Sequence, residues 1–150
     1  MDMSHLESDP DAWIIVCDGT KAVILENRGT RSRPHLYVRQ VHKQDDPRTS
    51  EQGTDRPGRF FGSTEQARSA AEQTDWHDQA EHKFLRDLAR ELHAAVASGT
   101  IKHLVLVAPP RALGMLRKYW PATHRDAIRA EIAHDYTKLP VGELERRLFG

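Results

Sequence analysis

The segment His103-Leu-Val-Leu-Val-Ala-Pro-Pro-Arg-Ala-Leu-Gly-Met-Leu-Arg117 decides how this chain is read. Leu104 to Val107 is an unbroken apolar run, the pattern of a strand buried on both faces as in a parallel sheet. Pro109-Pro110 stops it, and Leu113, Met115 and Leu116 begin a helical pattern at once. The second proline suits a first helical turn, where its missing N–H is no loss. A strand that turns directly into a helix marks the edge where open α/β sheets place their ligands. Between Leu104 and Arg117, however, there is no Ser, Cys, His, Asp or Glu to do chemistry.

Outward from this segment the pattern continues in both directions. Trp13–Cys17 is a buried-strand candidate, Asp18-Gly19 a hairpin dipeptide, and Ala22–Leu25 the return strand. Asn27-Arg-Gly29 makes a second turn, and Leu36–Val41 alternates as a third strand near an edge. Residues 43 to 59 carry no aliphatic or aromatic side chain, so a mobile polar loop is expected over about 43–75. Helical character begins after Ser63 and is strongest from Trp76 to Ala97. Trp76, Ala80, Phe84, Leu88, Leu92 and Val96 form one apolar stripe there, widened by Leu85 and Ala95. Thr74 or Asp75 would cap its start and Ser98-Gly99 would end it. Ile128 to Ala133 reads as a fifth strand, and Pro140 opens a last helix through Leu144 and Leu148. The order β-β-β-α-β-α-β-α predicts an α/β fold, a five-stranded mixed sheet of order 3-2-1-4-5 in one domain spanning residues 1–150.

This connectivity resembles ribonuclease-H-like folds. Three stretches narrow the resemblance: Trp13-Ile-Ile-Val-Cys-Asp-Gly-Thr20, Leu104-Val-Leu-Val-Ala-Pro-Pro-Arg-Ala-Leu-Gly-Met-Leu-Arg117, and His134-Asp-Tyr-Thr-Lys-Leu-Pro-Val-Gly-Glu-Leu-Glu145. Together they resemble the bacterial host attachment protein family, described as required for attachment to host cells. That family is held to be related to the central domain of archaeal and eukaryotic peptide-chain release factors. The resemblance implies a release-factor-core-like fold and a bacterial source, and it brings no catalytic residues. Val23 departs from it, standing where a basic residue is expected.

Composition removes several functions. Basic and acidic residues are equal at 22 each, so no global field draws the chain to nucleic acid or anionic lipid. The single cysteine, Cys17, excludes an internal disulfide framework and suits a reducing compartment. No window approaches the ~20 apolar residues of a membrane span, and the acidic N-terminus is not a signal peptide. A cytoplasmic protein without membrane insertion is expected, which disfavours direct adhesion.

Chemistry is then tested residue by residue. Ribonuclease-H-type catalysis needs three or four carboxylates around two metal ions. Asp18 ends the first strand near such a position, but Ala108-Pro109 ends the fourth with nothing to bind a metal. Asp18 is more simply the first residue of a tight turn. Release-factor hydrolysis would need Gly-Gly-Gln, and the chain contains no Gly-Gly. The Pro-Pro-Arg turn lacks two amides that a phosphate cradle would use, although Arg111 could grip an anion in two places. Asp18, Arg111 and Arg117 are therefore the anion or ligand candidates, and an Asp18–Arg111 ion pair is the bland expectation. Nine histidines suggest metal, yet His77 and His82 lie about 140° apart around their helix, and His93, His124 and His134 are isolated in sequence. No metal, cofactor or catalytic residue is expected, and Cys17 reads as an inert core thiol.

Local basic clusters remain. Arg28, Arg31, Arg33, Arg39 and Lys43 surround the second turn and third strand, and Arg111, Arg117, Lys118 and Arg125 the second helix. With Tyr37 they could bind RNA or the ribosome through phosphate contacts and stacking, helped by Arg56, Arg59, Phe60 and Phe61. The expected function is a non-catalytic protein binding RNA, the translation machinery or a protein partner. The alternatives are a small metal-dependent nuclease or hydrolase and an indirect regulator of surface adhesion. Oligomeric state is not legible.

Overall fold

The computed structural model describes residues 12–30, 33–44 and 62–149, with side chains of the long helix described from 75 onward. Five strands form one sheet: β1 (Trp13–Cys17), β2 (Lys21–Asn27), β3 (Leu36–Lys43), β4 (Leu104–Val107) and β5 (Ile128–Ile132). Their order is β3-β2-β1-β4-β5. β1 pairs antiparallel with β2 and parallel with β4, while β4 pairs parallel with β5. This is the mixed sheet the sequence predicts. The helices are α1 (Gly62–Ala97), α2 (Pro110–Tyr119) and α3 (Val141–Phe149), with a 3₁₀ segment at Ala122–Ala127.

The apolar runs are continuous because both faces of the central strands are covered. Ile15, Cys17, Leu104 and Leu106 pack toward α1 and α2, while Ile14, Val16, Val105 and Val107 pack toward α3. All four residues of β4 are buried, and each such side chain stabilises the fold by about 1.5–3 kcal/mol through burial. Leu85, Leu88, Ala89 and Leu92 carry the buried face of α1. That helix ends as expected: Gly99 takes φ 84°, and the amides of Thr100 and Ile101 donate to the Ala95 carbonyl. Pro110 opens α2, whose first internal bond runs from Leu113 N–H to the Pro109 carbonyl at 3.0 Å.

Two expectations are corrected. First, α1 starts at Gly62, so the polar stretch 62–75 is helical, and neither Thr74 nor Asp75 caps the helix. This stretch carries three Ala, two Glu and two Gln and has no proline or internal glycine, so propensity carries the helix where no apolar stripe announces it. The rest of the polar loop, with Arg48, Arg56, Arg59, Phe60 and Phe61, lies outside the described residues, as does Arg31.

Second, the Asp18-Gly19 turn does not use the left-handed glycine conformation that an Asp-Gly hairpin favours, since only Gly99 among the described residues has positive φ. Space is tight at Gly19, and a side chain there would have to displace that of Glu81. A Cβ there would stand 2.6 Å from Glu81 Cγ of α1. Gln44 closes the same turn, its amides reaching the carbonyls of Thr20 (2.7 Å) and Gly19 (3.2 Å).

Candidate functional site

Three parallel strands end together at one edge, which puts Asp18, Ala108-Pro109 and the loop after β5 side by side. Asp18 works locally first. Its Oδ1 accepts from the amides of Thr20 (2.7 Å) and Lys21 (2.8 Å) and from the Thr20 hydroxyl (3.0 Å). Thr137 then bridges two carboxylates. Its Oγ1 lies 2.6 Å from Asp135 Oδ1 and 3.3 Å from Asp18 Oδ2. β4 stands between β1 and β5, and the residue after it, Ala108, is fully buried, its amide donating to the Ile132 carbonyl at 3.0 Å. Burial pushes the Cys17 thiol up to about 12, and the negative charges of Asp18 and Asp135 add to the shift. Such a thiol is protonated at neutral pH and is no nucleophile.

Arg111 emerges at this edge but does not reach Asp18. It is paired with Asp78 and, at 3.5 Å, with Glu81, both on α1. Glu81 in turn packs on Gly19. The expected Asp18–Arg111 pair is thus replaced by a brace between α2 and α1, because the carboxylates of α1 stand between the turn and the guanidinium. Tyr119 extends the brace, its hydroxyl lying 3.0 Å from Nδ1 of His82. Arg117 is held by Glu131 of β5 at 2.6 Å. Asp18, Asp135, Arg111 and Arg117 are thus each paired within the fold.

The outer strand β3 differs. Leu36 is buried, and its amide donates to Glu145 of α3 at 2.7 Å. Tyr37, Val38 and Val41 are 42%, 37% and 48% exposed, unlike any other large apolar side chain described. Two arginines stand over aromatic rings here. The Arg28 guanidinium sits 3.4 Å from the Tyr37 ring centre, and that of Arg39 sits 4.5 Å from Trp13. Glu26 binds both arginines, at 2.7 Å and 3.0 Å. The hydrogen bond from Arg28 chiefly holds its carboxyl below the usual range, against burial, which raises it, and the hydrogen bond and charge of Arg39 add to the lowering. Lys43 has no carboxylate partner among the described residues, and Arg33 of the adjoining turn is exposed. Gly29 shapes that turn: Asn27 Oδ1 accepts from the amides of Gly29 and His35, and a Cβ at Gly29 would strike backbone atoms of Arg33 and His35.

Sequence reasoning missed several partners. Asp135 and Thr137 follow an exposed-looking His134, and only their strand-end position hints at a role. His93 and His124, isolated in sequence, meet at 2.9 Å (Nε2 to Nδ1) beside Trp120, whose indole donates to the His124 carbonyl at 2.8 Å. Among the described residues, no three His, Cys, Asp or Glu side chains are grouped to hold a metal ion. No described helix is long and apolar enough to cross a membrane.

Comparison with known proteins bears on this geometry. The family model for bacterial archaeo-eukaryotic release factor family 12 matches residues 11–148. The crystal structure of an archaeal translation termination factor, aRF1, is similar at 13% identity with a TM-score of 0.47, over 93% of this chain and 38% of that one. The chain therefore spans well under half of that protein's length. No curated protein matches the chain.

Proposed function

The chain belongs to bacterial archaeo-eukaryotic release factor family 12, and from that premise we propose that it is a non-catalytic binding protein of the translation machinery that contacts RNA through the β3 edge. The observation that carries this reading is the exposed strand itself. Tyr37 lies open beside Arg28, and Arg39 and Lys43 follow along the same strand. Cations beside exposed rings are what phosphate contact and base stacking require. The carboxyl edge supports the non-catalytic part, since its thiol is protonated, its arginines are paired and Asp18 is committed to a turn. Arg56, Arg59, Phe60 and Phe61 would add contacts to the same partner. An effect on host attachment or adhesion would then be indirect, through what the translation machinery makes.

A metal-dependent nuclease or hydrolase would centre on Asp18 and Asp135, which share Thr137. Two carboxylates fall short of the set such catalysis needs.

The test is co-sedimentation with ribosomal subunits across a salt series. Binding should fall steeply with salt, and Arg39→Glu with Lys43→Glu should weaken it about ten-fold or more at low salt. Binding that ignores both salt and these substitutions would remove the reading.

A further inference from the structure

β3 is an end strand of the sheet, and the outer edge of such a strand is a template for a further strand. Which residues face outward follows from the ladder with β2. Arg28 N–H donates to the His35 carbonyl and Gln44 N–H to the Thr20 carbonyl. Hydrogen-bonded pairs alternate along an antiparallel ladder, so Tyr37, Gln40 and His42 turn their backbone groups to Glu26, Ile24 and Ala22 of β2. Leu36, Val38, Val41 and Lys43 turn theirs away from it. The step from Val38 to Val41 is one residue too long because the register shifts between Ile24 and Leu25, leaving Arg39 as the extra residue. This bulge also sets the faces. Val38 and Val41 lie opposite Leu25 and Val23, on the α3 side of the sheet with Leu36, yet both are exposed. Gln40 and His42 lie opposite Ile24 and Ala22, on the α1 side.

The outward residues are placed symmetrically about the Arg39–Gln40 peptide bond. Turned antiparallel, the strand meets a second copy of itself with Val38 opposite Val41 and Leu36 opposite Lys43. No other register matches every outward residue with another. Faces match too: the valines of both copies meet on the α3 side, and Tyr37 comes opposite His42 on the α1 side. The Leu36 amide is taken by Glu145 at 2.7 Å, so Val38 and Val41 carry the new hydrogen bonds. Charges do not collide. Arg39 falls opposite Gln40 and is already held by Glu26 at 3.0 Å. His42 lies 3.6 Å from Glu91, and Lys43 arrives beside Glu145 of the second copy. We propose that a second copy of this chain pairs with β3 in this register, joining two sheets into one about a two-fold axis. The contact is the same patch on both copies, so it closes on itself. It uses the backbone of β3 and the α3-side valines, and therefore does not rest on RNA binding.

The test is sedimentation equilibrium of the full chain over a concentration series, with circular dichroism to check folding. The wild type should pass from monomer to dimer as concentration rises. Val41→Pro should weaken the dimer about ten-fold or more, because it removes an outward N–H and leaves the β2 ladder whole. Gln40→Glu should tighten it about five-fold, since each glutamate then faces Arg39 of the other copy. If Val41→Pro does not fold, Val38→Lys replaces it, with the same loss expected from a charge set among the valines. A chain that stays monomeric at every concentration overturns the proposal. A dimer indifferent to Val41→Pro or Val38→Lys uses another surface, and one that Gln40→Glu does not tighten uses another register; either overturns it as well. A monomer that still binds ribosomal subunits leaves the RNA reading in place, so the two fail separately.

Discussion

The carboxyl edge of β1, β4 and β5 and the outer strand β3 use similar residues to opposite ends. At the carboxyl edge Arg111 is taken up by Asp78 and Glu81, Arg117 by Glu131, and Asp18 by its own turn and Thr137. At β3, Arg28 and Arg39 also share a carboxylate, yet they stand over rings, with Tyr37 partly open to solvent. The first arrangement satisfies its charges internally and ties elements together. The second has arginines no more exposed than Arg111 and Arg117, and differs in its open apolar and aromatic side chains, Tyr37, Val38 and Val41. Topology marks the carboxyl edge as the place for a ligand, but side-chain pairing decides whether the place is open.

Three substitutions would break or sharpen this contrast. The largest effect is expected from Gly29→Ala, because the new Cβ would lie 2.7 Å from the His35 nitrogen and closer still to the Arg33 carbonyl. Backbone cannot yield as a side chain can, so a loss of about 3 kcal/mol is expected in denaturant unfolding, with weaker RNA binding. An unchanged midpoint would mean that the turn does not shape the β3 edge.

Asp18→Ala should cost about 2 kcal/mol, since Oδ1 satisfies two backbone amides and a hydroxyl and Oδ2 receives Thr137. Its RNA binding should stay at the wild-type level once folded. Wild-type stability with lost binding would instead make Asp18 a ligand group.

Cys17 gives the smallest effect at neutral pH, where its thiol is protonated in both states, and its effect is an alkaline one. Its thiol titrates at about 12 in the fold against 9.0 for the unperturbed group, so the unfolded chain loses this proton first. Stability is therefore full below pH 9 and declines as pH rises toward 12, by up to about 1.4 kcal/mol per pH unit. Cys17→Ala should flatten this decline. The native thiol should also resist a water-soluble disulfide reagent at pH 8, and rapid labelling of folded protein would contradict its burial.

Much of the fold was legible because the apolar code was simple. Leu104–Val107 and Trp13–Cys17 are buried on both faces and read so, and the Pro-Pro stop and the Gly99 end of α1 are local signals. The first turns of α1 were not legible, because 62–75 form a helix without an apolar stripe. The site was legible only as a place. Arg111 is visible in the sequence, but its partners Asp78 and Glu81 lie some thirty residues upstream, and no spacing rule connects them. Thr137 and Asp18 stand further apart still. Such pairings are made by tertiary packing, whereas Arg28, Tyr37 and Arg39 could be grouped because one hairpin holds them.

The contrast between the two regions is tested most directly by one salt titration of ribosomal-subunit binding with three chains. These are the wild type, Arg39→Glu with Lys43→Glu at the open edge, and Arg111→Glu at the closed one. The account predicts about a ten-fold or larger loss for the β3 variant and a shallower salt slope, with Arg111→Glu close to the wild type. Loss of binding by Arg111→Glu alone, with the β3 variant unaffected, would contradict it.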